Sequence, residues 1–290
     1  MPGKFPSSQF LLSGNSGFLI DAGEGVQMQL MKYNISHHKI RYVLISHLHG
    51  DHYLGLMGLL FSMHLSARKQ ELIIFSHTGL DEIILTQLRH AGSVLCFPLK
   101  FHHLLPGKEE KIIELDDLIV STIPLKHRVP CSGFLFKEKP GPFRIIKEKV
   151  PKEMLIQHIV QLKNGKDVED ENGKVIFSVK EYTLPPHRQR SYAYCSDTAP
   201  SEEVVIIANG VDLIYHEATF TAEENDRAAE TFHSTAYQAA TIAKKAGARK
   251  LLIGHFSARY KNTSVLLEEA KSVFPETILA EEGNIFEINI

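Results

Sequence analysis

Apolar residues in this chain come in short bursts that end on polar ones. Phe18-Leu19-Ile20 stops at Asp21-Ala22-Gly23, and Tyr42-Val43-Leu44-Ile45 runs through Ser46 into His47. Leu72 to Phe75, Leu118-Ile119-Val120, Phe134-Leu135-Phe136, Tyr192-Ala193-Tyr194, Val211 to Tyr215 and Leu251-Leu252-Ile253 repeat the form. Such runs, bounded by turn residues and rich in β-branched and aromatic side chains, predict strands. Between them the period changes. Leu56, Leu59, Leu60 and Met63 fall at helical spacing and predict a helix over 54–65. Further helices are expected from Gly79 to near Gly92, from Ala236 to Ala246, and from Ser264 to a break before Pro275. The second of these has Ser234 or Thr235 to cap its start and Gly247 to stop it. Strands alternating with helices predict an α/β fold of layered sheets.

Residues 137–190 break the alternation. Lys137-Glu138-Lys139-Pro140-Gly141-Pro142 opens the stretch, and Asn164-Gly165-Lys166 and Glu171-Asn172-Gly173-Lys174 punctuate it. Its apolar pieces are thin, so it reads as a projecting insertion, a hairpin arm, on a single domain spanning 1–290. From 137 to 152 the basic residues Lys137, Lys139, Arg144, Lys147, Lys149 and Lys152 outnumber Glu138 and Glu148. A basic stripe on an arm suits a phosphate backbone, and a solvated loop is the plain alternative. His187 with Arg188 and Arg190 could also touch phosphate.

Composition narrows the classes. With 290 residues, 43% hydrophobic and 23% charged, the chain is ordinary globular material. Its formal net charge of −2 excludes nucleic-acid binding through the whole surface and leaves a local patch as the route. No apolar run approaches the ~20 residues of a membrane span, and no signal-peptide core stands at the start, so a cytoplasmic protein without membrane contact is expected. Cys96, Cys131 and Cys195 are far apart and odd in number, which fits free thiols. Sixteen histidines against three cysteines tilt any metal site toward nitrogen and oxygen ligands.

The candidate chemistry begins at His47-Leu48-His49-Gly50-Asp51-His52. Two apart on extended chain, His47 and His49 point to the same side; the turn at Gly50 brings Asp51 and His52 round from another direction. One loop could thus hold two metal ions, His47 and His49 on one, Asp51 and His52 on the other. Other strands also lead to metal-competent residues, His127, Asp197 and His255. With a bridging Asp197 the tally serves two ions of about four ligands each.

In its ordered motifs the chain resembles the metallo-β-lactamase superfamily and, within it, ribonuclease Z. The motifs are Leu19-Ile20-Asp21-Ala22-Gly23-Glu24-Gly25; the H-x-H-x-D-H loop; His127; Ser196-Asp197-Thr198; His216-Glu217-Ala218-Thr219-Phe220; His233-Ser234-Thr235; and Gly254-His255-Phe256-Ser257-Ala258-Arg259-Tyr260. The resemblance implies an αββα sandwich, two β-sheets packed face to face with helices outside and an exosite arm. It implies two Zn2+ ions, or Mn2+ or Fe in their place. His47, His49 and His127 would hold one ion, Asp51, His52 and His255 the other, and Asp197 would bridge. Asp21 would orient a ligand imidazole, Asp51 would act as base, His233 as acid, and Glu217 would steady His233. The implied activity is that of a phosphodiesterase, an endonuclease releasing the 3′ trailer of precursor tRNA with a tRNA 3′-OH and a trailer 5′-phosphate. A homodimer is implied as well.

Two departures stand out. Where the family carries a Gly-Pro-rich arm tip, this chain has Val150-Pro151-Lys152-Glu153-Met154-Leu155-Ile156, and its Gly141-Pro142 lies earlier. Family members also begin with a strand before the Phe5-Pro6-Ser7-Ser8-Gln9 segment, so a first strand is expected to be missing, at the cost of an exposed sheet edge. The alternative functions are a phosphodiesterase or sulfatase of the same fold acting on a small ester, and a non-catalytic nucleic-acid-binding member.

Overall fold

The computed structural model describes residues 5–289. Strands β1 (Gln9–Ser13) and β2 (Ser16–Ile20) form a hairpin. Helix α1 (Val26–Lys32) leads to β3 (Ile40–Leu44), the single turn α2 (Gly50–Tyr53) and α3 (Leu56–Leu65) lead to β4 (Leu72–Ser76), and α4 (Leu80–His90) leads to β5 (Leu99–His103). These strands make one sheet in the order β1-β2-β3-β4-β5, parallel from β2 onward. The chain continues through β6 (Lys111–Glu114), β7 (Leu118–Pro124) and β8 (Ser132–Glu138). An excursion follows, with β9 (Arg144–Ile145), α5 (Ile156–Lys163), β10 (Val168–Glu169), β11 (Val175–Phe177), α6 (Val179–Tyr182) and β12 (Thr183–Leu184). Then come β13 (Ser191–Cys195), α7 (Glu202–Ile207), β14 (Leu213–Glu217), α8 (Asn225–Thr231), α9 (Ala236–Lys245), β15 (Lys250–Gly254), α10 (Ser264–Val273) and β16 (Thr277–Leu279). The second sheet has the order β16-β15-β14-β13-β8-β7-β6, parallel on the β13 to β16 side and antiparallel on the other.

Side chains alternate across a strand, and here both faces are buried. Phe18, Ile20, Tyr42 and Leu44 from the first sheet meet Phe134, Phe136, Tyr192 and Tyr194 from the second in a core between the sheets. On the outer face of the first sheet, Leu19, Val43 and Ile45 pack on Leu30 of α1, Leu59 and Met63 of α3 and Ile84 of α4. On the outer face of the second, Ala193, Ile214 and Ile253 pack on Val204 of α7, Ala239 and Ala243 of α9 and Leu266 of α10. The expected αββα sandwich is the result. Burial on both faces also explains why the strands read as unbroken apolar runs.

Capping follows the sequence closely. The Thr235 hydroxyl accepts from the Gln238 N–H and the Gln238 side chain accepts from the Thr235 N–H, which opens α9. Gly247, at φ 62°, ends it. Helix α1 shows why some elements escaped notice. It buries only Val26 and Leu30, and its Met28 and Met31 are exposed, so no apolar period marks it. Among the described residues, no helix is long and apolar enough to cross a membrane.

The excursion differs from the simple hairpin expected of it. Met154, Leu162, Val168 and Phe177 bury one another in a small core separate from those of the sandwich. β9 pairs with β12, and β10 with β11, so the segment carries two short ladders and a helix. Its two ends are held together because β8 and β13 are antiparallel neighbours, with Lys137 opposite Ser191. An insertion at a hairpin connection costs the body little beyond loop closure. Replacing residues 140–188 by Asn-Gly should therefore leave a cooperatively melting sandwich, with Tm lowered by less than about 5 °C, the effect of 1–2 kcal/mol at this size. Loss of the melting transition in circular dichroism would show that the segment belongs to the main core.

Candidate metal centre

Strand ends gather the polar residues. Asp21 follows β2, His47 follows β3, His127 follows β7, Asp197 follows β13, Glu217 closes β14 and His255 follows β15. Carboxyl ends of parallel strands are where sites form in such sheets. The two sheets are pinned together here, the Ser132 N–H donating to the Ser46 carbonyl at 3.0 Å. The loop bearing His49, Asp51 and His52 is pinned too, because Ala22 N–H donates to His52 O at 2.7 Å and Gly55 N–H to Ala22 O at 2.9 Å. A Cβ on Gly55 would stand 1.9 Å from the Gly23 carbonyl oxygen, so only glycine permits that approach.

Ligand atoms converge in three overlapping groups, each with its members within 4.8 Å of one another: His47, His49, His127 and Asp197; Asp51, His52 and His255; and, between them, Asp197, His233 and His255. In the first, His47 Nε2 and His127 Nε2 lie 3.0 and 3.2 Å from His49 Nδ1, and 3.6 and 3.9 Å from Asp197 Oδ2. In the second, His52 Nε2 and His255 Nε2 lie 3.5 and 3.7 Å from Asp51 Oδ2. Both also face Asp197 Oδ1, at 3.5 and 3.3 Å. Donor atoms about 2.0–2.2 Å from one tetrahedral ion stand roughly 3.3–3.6 Å apart, which is this spacing. His52 Nε2 and Asp197 Oδ1 are buried without a hydrogen-bond partner. With its ring proton on Nδ1 facing Asp21, His52 offers a lone pair at Nε2, and two orphaned lone-pair atoms pointing into one space are what a bound cation would satisfy. The clusters are consistent with a binuclear metal site that shares Asp197.

Four of the five imidazoles, those of His47, His52, His127 and His255, are oriented by the other nitrogen, in the way that outer partners fix ligand tautomers. Asp21 Oδ2 accepts from His52 Nδ1 at 2.8 Å and from the Tyr194 hydroxyl at 2.7 Å. Asp21 Oδ1 accepts from the Ser46 N–H at 2.8 Å. The Ser46 hydroxyl, 3.0 Å from Asp21 Oδ2, stands 3.0 Å from His47 Nδ1 and can donate to the first while accepting from the second. His127 Nδ1 donates to the Phe232 carbonyl at 3.0 Å. Thr219 Oγ1 lies 3.1 Å from His255 Nδ1 and 2.7 Å from Glu217 Oε2. Asp21 and His255 both hold φ 58°, a conformation that costs a non-glycine residue about 1–3 kcal/mol. These bonds hold that strain in place.

Beside the clusters lies an acid–base pair. The carboxylate of Glu217, fully buried, accepts from Thr198 N–H at 3.1 Å, Ser234 N–H at 3.0 Å and Thr219 N–H at 2.9 Å, and from His233 Nδ1 at 2.9 Å. Burial pushes its carboxyl up, yet the hydrogen bond and charge of His233 hold it below the usual value. His233 Nε2 is left facing the clusters, 4.0 Å from Asp197 Oδ2.

Electrostatics divides the candidate ligands. Burial holds His47, His49 and His127 below the usual histidine value, neighbouring imidazoles adding to the effect at His47, so they are neutral as ligands must be. Burial also disfavours charge on His255, but Asp197 and Asp51 carry it up to about 10. The polar contact with His255, 3.7 Å away, in turn holds Asp51 low.

The structure thus brings together Asp21, His47, His49, Asp51, His52, His127, Asp197, Glu217, His233 and His255. It does not make a single stripe of the basic residues. Lys139 pairs with Glu114 at 2.8 Å, Arg144 Nε donates to Pro185 O at 2.9 Å and Lys149 to Glu181 O at 3.1 Å. Lys137 sits exposed on β8, and Lys147 is exposed near α5. Ser46, Tyr194 and Thr219 were missed. Thr219 lies inside a motif and Ser46 directly precedes one, so both could have been flagged; nothing local marks Tyr194, which reaches Asp21 only across the sandwich.

Comparison with known proteins agrees with this geometry. The chain is 48% identical over 287 residues to ribonuclease Z of Cytophaga hutchinsonii, covering 99% of this chain and 92% of that one. It is 45% identical over 280 residues to ribonuclease Z of Bacteroides fragilis, covering 96% and 92%. Its structure matches human tRNase Z, short form, with a TM-score of 0.73 and 25% identity, covering 100% of this chain and 95% of that one. A family model described as anti-Pycsar protein Apyc1 matches residues 3–140.

Two outcomes follow from the geometry. Asp21→Asn should weaken metal binding about 10–100-fold in a chelator competition by releasing the His52 ring. Unchanged affinity would remove Asp21 from that role. Metal added to metal-free protein at neutral pH should release protons, because His255, charged below about 10, must deprotonate to ligate. Apparent affinity should accordingly rise with pH up to that value and fall as pH drops; titration in weakly buffered solution with a pH indicator reads both.

Proposed function

The chain belongs to the ribonuclease Z family of the metallo-β-lactamase superfamily, and on that footing we propose that it is a metal-dependent endonuclease that removes the 3′ trailer from precursor tRNA. The observation that carries this reading is the placement of His233, steadied by Glu217 at Nδ1 and turned at Nε2 toward the bridging carboxylate. The donor set of five histidines and two aspartates, without cysteine, suits two zinc ions, and also manganese or iron. Bound there, such ions would supply Lewis-acid stabilisation of the phosphate charge and an acidified water.

The protein's own groups do the rest. Asp51, its side chain 51% exposed, is placed to take the proton of the attacking water while its other contacts face His52 and His255. His233 Nε2 donates a proton to the departing 3′ oxygen of the ribose. Glu217 accepts from Nδ1 and so fixes which nitrogen faces the substrate. The products are a tRNA with a free 3′-OH and a trailer with a 5′-phosphate. A cytoplasmic homodimer completes the reading. Exposed Met28 and Met31, three apart on α1, offer an apolar face for a second copy, and sedimentation would test it.

Cleavage is tested with zinc- or manganese-loaded protein on a 3′-extended precursor tRNA and, separately, on bis(p-nitrophenyl) phosphate. Turnover of the small ester alone would overturn the tRNA reading in favour of a small-ester hydrolase. His233→Ala should keep its metal content and lose about 10²-fold or more in turnover of the precursor. Full activity in that variant would remove His233 as the acid.

A further inference from the structure

Phe232 holds a backbone conformation that a bulky side chain rarely takes. Its φ of 58° and ψ of 46° lie in the left-handed region, where glycine is at ease and an aromatic residue is strained. Backbone contacts keep it there. Its N–H donates to Ala229 O at 3.3 Å, the following His233 N–H donates to Ala228 O at 2.9 Å, and its carbonyl accepts from His127 Nδ1 at 3.0 Å. The turn uses the main chain and not the ring, and glycine would serve it without strain. Packing does not account for the ring either. Phe232 is 42% exposed and joins none of the hydrophobic cores, and no aromatic ring or cation lies against it among the described residues. Strain kept at a site without a packing reason points to function.

Its place is particular. His233 is the next residue, with about 3.8 Å between the two Cα atoms, and turns its Nε2 toward Asp197. The rings of His127 and His233 stand 5.2 Å apart between centroids. Phe232 is therefore tied both to a candidate ligand and to the candidate acid. Arg128, the residue after His127, is exposed and has no ion pair or hydrogen bond among the described residues. Its charge disfavours protonation of His49, so it stands at the same rim of the centre. An open aromatic face and a free guanidinium are the two groups that hold a single-stranded nucleotide, the ring under the base and the cation on the backbone. The chemistry then decides which nucleotide. His233 serves the 3′ oxygen that departs, so the residue joined to it meets the nucleotide carrying that oxygen.

We propose that Phe232 is the platform on which the unpaired base 5′ of the scissile bond stacks, with Arg128 on a neighbouring phosphate, so that the 3′ oxygen of that nucleotide is held against His233 Nε2. The inference rests on the endonuclease reading and deepens it with a rule of specificity. Every base has a π face, so any of the four serves and a nucleotide lacking its base does not. Stacking also orients the ribose, so the effect reaches turnover as well as binding.

The test uses the metal-loaded full chain, Phe232→Gly, which suits the left-handed backbone, and Phe232→Trp, which keeps an aromatic face. Melting and metal content check each fold. Two RNAs differ only in whether the nucleotide 5′ of the scissile bond carries a base. Each is made as a 3′-extended hairpin and as a hairpin ending in a 3′-OH at that nucleotide, which has no bond to cleave. For the wild type, loss of the base should lower kcat/KM on the extended RNA and affinity for the product hairpin about 5- to 100-fold, the stacking contribution of one base. Phe232→Gly should show that loss on the ordinary RNA and no further loss on the abasic one, whereas Phe232→Trp should discriminate as the wild type does. Arg128→Ala should weaken both RNAs alike and reduce the salt slope of binding by about 1. An unchanged slope removes Arg128 from the proposal. A wild type indifferent to the missing base, or a Phe232→Gly variant that loses equally on both RNAs, overturns the platform. If the wild type tells the two product hairpins apart, Phe232→Gly does not, and neither extended RNA is cleaved, the endonuclease reading falls and the platform stands. If the wild type binds no hairpin, both fall.

Discussion

Asp197 sits where five imidazoles meet. His47, His52, His127, His233 and His255 all come within 4.0 Å of its carboxylate, which is 4% exposed. Its Oδ1 has no donor, and neither does His52 Nε2 have a partner. A buried polar atom left in that state costs roughly 1–3 kcal/mol, and a charged one more. Cations at the two clusters would turn that cost into binding energy, so metal affinity and fold stability are linked through one residue. The constraint reaches outward. Asp197 follows β13 while His47 follows β3, and these strands belong to different sheets, so the sandwich must close correctly for the cluster to exist.

What holds the cluster is a shell of buried polar groups in which nearly every donor has an acceptor. Asp21 gathers Ser46, His52 and Tyr194; Glu217 gathers Thr198, Thr219, His233 and Ser234. In a low-dielectric interior such networks are stiff when complete and costly when broken. The left-handed backbone at Asp21 and His255 is tolerated because these bonds hold it. Thr219 joins the two halves of the site, its hydroxyl standing between the carboxylate behind His233 and the ring of His255. Displacement of either histidine is therefore felt by the other.

The inserted segment follows a different logic. It has its own small core and enters and leaves through one strand pair, so its sequence can vary without disturbing the sandwich. Its electrostatics are likewise set by position. Lys139 and Lys149, which belong to a basic run in sequence, find acceptors nearby, whereas Lys163 and Lys147, sixteen residues apart, share one recess.

Much of the molecule was legible in the sequence because its strands are short, doubly buried and punctuated by ligand residues. Apolar runs such as Tyr42 to Ile45 marked the strands, and a cap at Ser234 or Thr235 with Gly247 beyond marked a helix at both ends, Thr235 being the cap in the structure. The H-x-H-x-D-H loop was legible as a metal-binding segment because its neighbours in sequence are neighbours in space. Helix α1 stayed hidden because two buried side chains make no period, and the core of the inserted segment stayed hidden because Met154, Leu162, Val168 and Phe177 are too spread to read as one cluster. By itself the sequence determined the alternation of strands and helices, the residue types at the centre and the family. Only the tertiary structure decided that Tyr194 supports Asp21 across the sandwich and which lysines of the inserted segment remain free. Those are contacts between residues far apart in the chain, and local periodicity carries no information about them.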